Sequence, residues 1–183
     1  MRLLGVSGSL RAASFNSALL NEAADLLPEG VSLERFGLHD LPLFNADVEA
    51  QGDPEPVTAW KAAVRAADGI LFACPEYNAG ITGVLKNAID WASRGGGDTP
   101  APLTGQIACI FGASPGVTGS ARAQDQLRLV LRRTVTTVAP IGEVLVFQAH
   151  TKITDGRLTD ERTREAFRRH LAGFAEAVRA HRA

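Results

Sequence analysis

Two short segments carry most of the side chains that could bind a charged ligand. The first is Gly8-Ser9-Leu10-Arg11-Ala12-Ala13-Ser14-Phe15-Asn16, directly after the apolar run 3–6. A phosphate held without a metal needs main-chain N–H groups, hydroxyls and a cation at the start of a helix. Arg11 supplies the cation, and Ser14 suits the N-cap of a following helix. Hydrogen-bond donors are supplied by Ser9, Ser14, Asn16 and Ser17. The segment therefore predicts a phosphate site.

The second segment is Pro75-Glu76-Tyr77-Asn78-Ala79-Gly80, directly after the apolar run 70–74. Pro75 removes a main-chain donor where the strand ladder has stopped. Tyr77 offers an aromatic surface and Asn78 an amide, and a helix that begins just behind them would direct its positive end towards a ligand. We interpret the two segments together as a flavin mononucleotide (FMN) site. The first segment would hold the phosphate and the second would face the ring.

The first segment matches neither GxxxxGK[ST] nor GxGxxG, which disfavours nucleoside triphosphates and dinucleotides of the Rossmann type. Taken singly, Ser14 and Asn16 could simply cap a helix, and Arg11 could be a solvated surface residue. The whole cluster directly after a strand favours the phosphate site.

Composition and charge narrow the function further. The chain has 183 residues, of which 45% are hydrophobic and 21% charged, as expected for one globular domain over residues 1–183. The formal charge of −1 gives no electrostatic basis for binding nucleic acid or an anionic membrane. No apolar run reaches the length of a spanning helix, and a strand starting at Arg2 leaves no room for a secretory signal. We therefore expect a cytoplasmic protein.

Cysteine and histidine usage does not predict a metal site. Cys74 and Cys109 each lie in an apolar run without a CxxC pattern, so buried reduced thiols are expected. The four histidines are scattered and lack the spacing of metal ligands.

Apolar runs alternate with amphipathic stretches along the whole chain. The runs predict five strands, at 2–7, 31–36, 69–74, 107–111 and 136–147, the last broken near Pro140-Ile141-Gly142. The amphipathic stretches predict five helices, at 14–27, 56–67, 82–93, 120–133 and 157–182. This alternation predicts a three-layer, flavodoxin-like α/β sandwich with a five-stranded parallel sheet in the order 2-1-3-4-5 and helices on both faces. Both segments then meet where the strand order reverses. The long connection 37–53 suggests a functional loop or an interface element.

The motifs GSLRAASFN and PEYNAGITGVLKNAIDW resemble those of the NADPH-dependent FMN reductases, a family that includes quinone, chromate and some azo reductases. The resemblance extends from the first strand through Arg122 and fades in the last helix. It implies that FMN phosphate is bound by Ser9, Arg11, Ser14, Phe15, Asn16 and Ser17. It further implies that the flavin ring is lined by Pro75, Glu76, Tyr77 and Asn78, and on its other side by the turn containing Ser114 and Gly116.

The resemblance also implies an enzymatic activity. A reduced nicotinamide, NADPH or NADH, would pass hydride to FMN, and a small acceptor would then take its place in a ping-pong cycle. Quinones, free flavins, azo compounds and chromate are the candidate acceptors. No side chain is expected to act as a chemical catalyst, and Glu76 suits hydrogen-bond acceptance better than general-base catalysis. The 2′-phosphate of NADPH would need a basic contact, for which Arg11 and Arg94 are candidates.

The family resemblance implies a homodimer or homotetramer, with interface residues drawn from 41–47 and from Lys86, Asn87, Asp90 and Trp91. An Arg122–Glu143 pair between subunits is a hypothesis, and Asp125 stands where some relatives carry an aromatic residue.

Two alternatives to a reductase remain. One is a flavodoxin-like electron carrier without nicotinamide oxidase activity, which the near-neutral charge and Arg11 disfavour. The other is a cofactor-free binding or regulatory module of the same fold.

Overall fold

A parallel sheet of six strands forms the centre of the molecule in the computed structural model, which describes residues 1–183. The chain has ten strands, of which β4–β5 and β9–β10 form two separate hairpins outside this sheet. In chain order they are β1 Arg2–Ser7, β2 Ser32–Phe36, β3 Gly69–Ala73, β4 Glu76–Tyr77, β5 Gly80–Ile81, β6 Ile107–Ala113, β7 Thr137–Val138, β8 Val144–Val146, β9 Ile153–Thr154 and β10 Arg157–Leu158. The helices are α1 Phe15–Leu26, α2 Ala46–Glu49, α3 Glu55–Ala66, α4 Gly83–Ala92, α5 Ala121–Arg133 and α6 Glu161–Arg182. None of these helices combines the length and the apolar character needed to cross a lipid bilayer.

The strand order is β2-β1-β3-β6-β7, and β8 also pairs with β6. Every pair in this sheet is parallel. Strands β7 and β8 are the two halves of the predicted fifth strand, interrupted around Pro140 as expected. The predicted flavodoxin-like order is therefore confirmed. Its reversal point lies between β1 and β3, because the chain continues from these two strands to helices on opposite faces of the sheet.

Side chains alternate between the two faces of the sheet and build two apolar clusters. In β3, Leu71 faces the cluster under α1 and α6, while Phe72 faces the cluster under α3, α4 and α5. Phe167 and Trp60, both inaccessible to solvent, lie in the first and second cluster respectively. Burying one such large side chain contributes about 1.5–3 kcal/mol to the stability of the fold, so the helices on both faces stabilise the sheet.

One local prediction was wrong. The last helix begins at Glu161 rather than 157, because 157–158 pair with 153–154 in an antiparallel hairpin. The hairpin turns through Asp155 and Gly156, both with positive φ, and Asp160 then caps α6 by accepting from the Thr163 N–H at 2.9 Å. The long connection 37–53 contains the short helix α2, capped by Asn45.

Candidate cofactor site

The first predicted segment connects β1 to α1 and lies directly against the second. The Gly8 N–H donates to the Ala73 carbonyl at 2.9 Å, at the end of β3. A Cβ atom at Gly8 would lie 2.8 Å from the Pro75 ring, so only glycine allows this approach. The structure thus brings the two segments together at the carboxyl edge of the sheet, as the strand order predicted.

The segment presents unpaired donors at the start of α1. Five main-chain N–H groups there have no acceptor in the protein, namely those of Leu10, Ala12, Ala13, Phe15 and Asn16. Two of them lie in the first turn of α1, where the helix dipole is positive. The Arg11 guanidinium forms no ion pair and lies 5.7 Å above the Phe15 ring. These groups fit a phosphate, which needs several donors and one cation.

The serine hydroxyls shape this loop from inside. Ser14 caps α1 by accepting from the Ser17 N–H at 3.3 Å. The Ser9 hydroxyl accepts from the Arg11 N–H at 3.3 Å, and the Ser7 and Ser17 hydroxyls are 2.9 Å apart. A hydroxyl that accepts one bond still has its own proton to donate, so Ser9 and Ser14 remain able to bind a ligand.

Asn16 is used differently from its neighbours. Its side chain is buried and pairs with both main-chain groups of Ala113, donating to the carbonyl at 2.9 Å and accepting from the N–H at 3.0 Å. Only the main-chain N–H of Asn16 is free to meet a phosphate. No pattern in the sequence indicated this contact, which joins residues 97 positions apart.

The second segment folds as a tight hairpin, which sequence reasoning missed. Strands β4 and β5 pair antiparallel around Asn78 and Ala79, whose φ angles are 51° and 64°. Two successive residues with positive φ form the mirror-image turn that hairpins favour. Pro75, which directly precedes this hairpin, is buried, whereas Tyr77 is 55% exposed. The hairpin therefore presents an aromatic side chain to solvent beside the first segment.

Glu76 anchors the hairpin to the start of α5. Its side chain is 9% exposed, and one carboxylate oxygen accepts from the main-chain N–H groups of Arg122 at 3.0 Å and Ala123 at 3.3 Å. The other oxygen lies 3.0 Å from the Arg122 guanidinium. This arrangement agrees with Glu76 as a hydrogen-bond acceptor. A second anchor, which sequence reasoning did not find, is Gln126, whose side-chain oxygen accepts from the Ile81 N–H at 2.7 Å.

Thr82 joins the first segment to α4. Its hydroxyl donates to the Gly8 carbonyl at 2.7 Å and accepts from the Leu85 N–H at 3.2 Å as the N-cap of α4. The positive end of α4 is thereby fastened beside the two segments, as expected for a site that holds negative charge.

The turn after β6, which contains Ser114 and Gly116, is the third predicted part of the site. Its main chain is held by the segment after β8: the Ser114 N–H donates to the Val146 carbonyl at 3.0 Å, and the Gln148 N–H donates to the Gly116 carbonyl at 2.8 Å. The Ser114 hydroxyl is buried without a hydrogen-bond partner, while Gly116 is exposed. A buried hydroxyl without a partner is the kind of group that a bound ligand or water satisfies.

Some predicted residues lie elsewhere. Arg94 follows the far end of α4, a helix of ten residues and so about 15 Å long, and it pairs with Glu49 at 3.0 Å. Within one chain Arg94 is therefore remote from the site, and its proposed contact with the 2′-phosphate is not supported. Arg122 pairs with Glu76, and Glu143 pairs with Arg128 at 3.0 Å.

Residues expected at a subunit interface also have partners within the chain. Asn87 and Trp91 both donate to the Pro42 carbonyl, at 2.9 and 2.8 Å. Lys86 pairs with Asp90 at 2.6 Å. The α4 side chains therefore hold the 41–47 connection in place.

The two cysteines are free and buried. Burial raises the pKa of Cys74 to about 12, so its thiol is protonated at neutral pH. The Cys109 thiol, whose pKa burial also raises, lies 3.1 Å from the His170 Nε2 atom and can donate to it. Burial lowers the pKa of His170 to about 4, which leaves the imidazole neutral. Both cysteines are thus buried free thiols, as predicted.

Comparison with known proteins agrees with this geometry. The sequence profile of the NADPH-dependent FMN reductases matches residues 1–151. The chain belongs to this family. It is 44% identical over 182 residues to an NAD(P)H-dependent FMN reductase of Pseudomonas aeruginosa, covering 98% of this chain and 96% of that protein. It is 34% identical over 180 residues to a 2-hydroxy-1,4-benzoquinone reductase of a Burkholderia species, covering 98% and 97%.

Among solved structures, this FMN reductase family member is similar to FerB, a flavoenzyme NAD(P)H:(acceptor) oxidoreductase from Paracoccus denitrificans. The TM-score is 0.88 at 32% identity, and the match covers 98% of both chains. The flavodoxin-like fold is thus shared over almost the whole length.

Proposed function

We propose that this protein is an FMN-dependent NAD(P)H oxidoreductase that reduces quinones or similar small acceptors. One observation carries the proposal. Five unpaired main-chain N–H groups and the unpaired Arg11 guanidinium lie at the start of α1, packed through Gly8 against the loop that leads into an exposed hairpin. The first feature suits a phosphate and the second a planar ring. Relatives named as FMN and quinone reductases over nearly their full length support it.

The cofactor contacts follow from the same groups. Arg11, the hydroxyls of Ser9, Ser14 and Ser17, and the main-chain N–H groups of Phe15 and Asn16 would hold the phosphate. The hairpin residues Pro75, Glu76, Tyr77 and Asn78 would border the ring on one side, and Ser114 and Gly116 on the other. When bound, FMN supplies the chemistry, accepting hydride from a nicotinamide and passing electrons to the acceptor.

The chain itself contributes orientation and charge. The N-terminus of α4, capped by Thr82, offers partial positive charge to the negative charge that reduction creates. The Glu76 carboxylate accepts two hydrogen bonds from main-chain N–H groups of α5 and pairs with the Arg122 guanidinium. We therefore assign Glu76 no role in proton transfer. Because Tyr77 and Gly116 are exposed, the site accepts flat or small oxidants. Free flavins, azo compounds and chromate are included with quinones.

We further propose that the chain works as a homodimer or homotetramer. A groove of about 610 Å³ between α4 and α5 is lined by Lys86, Asp90, Leu129 and Val135 among others. Leu129 and Val135 are 65% and 64% exposed, and covering them would remove apolar surface from water. Sedimentation of Leu129→Asp against the unchanged protein tests this surface, and an unchanged mass would refute it. Two further statements remain predictions from the sequence. One is that residues 1–183 form a single FMN-binding domain, and the other is that the protein is cytoplasmic.

The test starts with apoprotein titrated with FMN, followed by flavin fluorescence. We expect saturable binding of one FMN per chain, then oxidation of NADPH or NADH by a quinone with the parallel-line kinetics of a ping-pong cycle. FMN binding without nicotinamide oxidation would favour the electron carrier. Failure to take up FMN at large excess would refute the proposal.

A further inference from the structure

We propose that Asn16 is a positioning residue that sets the spacing between the phosphate segment and the turn after β6, rather than a side-chain ligand of the phosphate. The inference rests on the proposed function, because it concerns the same flavin site. It deepens that function by separating the residues that touch the phosphate from one that aligns the two ends of the site.

The geometry of the contact carries the inference. The Asn16 amide donates to the Ala113 carbonyl at 2.9 Å and accepts from the Ala113 N–H at 3.0 Å. Such a pair mimics the pairing of a neighbouring strand and restrains Ala113 in both direction and distance. The residue is 4% exposed, so neither amide group can reach a ligand without leaving two buried main-chain groups unpaired.

The position of Ala113 explains what the contact aligns. Ala113 is the last residue of β6, and Ser114 and Gly116 follow within three residues. Asn16 lies in the first turn of α1, where its own N–H is among the unpaired donors. One side chain therefore connects the donors expected at the phosphate to the turn expected at the ring.

A second contact supports the importance of this turn's position. The Ser114 N–H is bonded to the Val146 carbonyl, and the Ala149 N–H to the Ser114 carbonyl. These bonds hold the turn from the outer edge of the sheet, whereas Asn16 holds it from α1. Without Asn16, the turn keeps only its attachment on the side away from the phosphate segment.

The experiment compares two ligands that differ only in the phosphate. Dissociation constants for FMN and riboflavin are measured by fluorescence quenching with apoprotein of the unchanged chain, Asn16→Ala and Arg11→Ala. Positioning predicts that Asn16→Ala weakens riboflavin binding at least tenfold, because the ring side of the site is displaced. Arg11→Ala should weaken FMN binding at least tenfold and change riboflavin binding less than twofold.

One variant controls for a loss of stability, and another stands ready if Asn16→Ala does not fold. Thr136→Val removes a buried hydroxyl that donates to the Leu103 carbonyl at 3.0 Å, away from the two segments and the turn after β6. It should lower the unfolding midpoint in urea and leave both dissociation constants unchanged. If Asn16→Ala does not fold, Asn16→Ser takes its place, because the smaller hydroxyl side chain suits the first turn of a helix and still removes the paired amide.

The outcomes separate the hypotheses. Riboflavin affinity within twofold of the unchanged chain, together with a tenfold loss for FMN, would overturn the inference and make Asn16 a phosphate ligand. Loss of stability without any change in either affinity would also overturn it. Failure of the unchanged protein to bind FMN would instead refute the proposed function, so the two results cannot be confused.

Discussion

Replacing Glu76 tests whether the most buried carboxylate of the site is a structural anchor or a chemical base. In Glu76→Ala, the main-chain N–H groups of Arg122 and Ala123 lose a charged acceptor. A hydrogen bond to a charged group contributes about 1.5–3 kcal/mol. Both bonds end on one oxygen, so we count them as one such interaction. The Arg122 side chain is largely exposed, so its ion pair adds at most about 1 kcal/mol.

We therefore expect Glu76→Ala to lower the free energy of unfolding by about 2–4 kcal/mol. Glu76→Gln keeps an acceptor oxygen but loses the charge, and should lower it by about 1–2 kcal/mol. For a chain of this size, 1 kcal/mol corresponds to about 2–4 °C in Tm. Urea unfolding gives the free energies. Glu143→Gln, in which an exposed carboxylate pairs with the half-buried Arg128, is the matched control and should change stability by less than about 1 kcal/mol.

The same variants give the kinetic test. With FMN saturating, Glu76→Gln should oxidise NADPH at a rate within about threefold of the unchanged enzyme, since hydride transfer to flavin needs no side-chain base. A loss of 100-fold or more in kcat with stability intact would refute the anchoring role and make Glu76 a participant in the chemistry.

Three further predictions follow from strained or buried groups. Val135, just after α5, has a φ of 58°, a conformation that costs a branched side chain about 1–2 kcal/mol. Val135→Gly should therefore raise the free energy of unfolding by about 1 kcal/mol. The control Val117→Gly, at a residue without a positive φ, should not raise it. Ala79→Gly, at φ 64° in the hairpin turn, should likewise raise the unfolding midpoint in urea, and a lower midpoint would contradict the turn assignment. His170 is neutral in the folded protein because its pKa is lowered to about 4, whereas in the unfolded chain a histidine binds a proton near pH 6.5. The stability that the neutral imidazole contributes to the folded state is therefore fully present above about pH 6.5 and is lost as the pH falls towards 4. His170→Gln should flatten that part of the stability profile, and an unchanged slope would show that other groups cause it.

Much of the fold was readable because local patterns and topology agree. The apolar runs located β1 and β6 to within two residues, and Pro140 correctly marked the break between β7 and β8. The helix caps were equally local: Ser14 precedes α1 and bonds within three residues. The Asp155-Gly156 turn carried a standard hairpin signal, but the amphipathic pattern of the following helix obscured it.

The residues that assemble the site were harder to find, because their contacts are not local. Glu76 and Gln126 act on partners 46 and 45 residues away, and such pairings leave no periodicity in one sequence. The Asn78-Ala79 turn was missed for a different reason. A two-residue hairpin of this type usually contains glycine, and here Ala79 adopts the strained conformation instead.

The contact between Asn16 and Ala113 has a consequence for biosynthesis. When the first hundred residues have left the ribosome, the residues of α1 and of the 76–81 hairpin have been synthesised. Strand β6 is still missing, and so is the segment 146–149 that holds the turn after β6. If the turn after β6 borders the flavin ring as proposed, that side of the site can form only after about four-fifths of the chain has emerged. Loading with the coenzyme is therefore a late event, and a polypeptide truncated before residue 146 should be released without it.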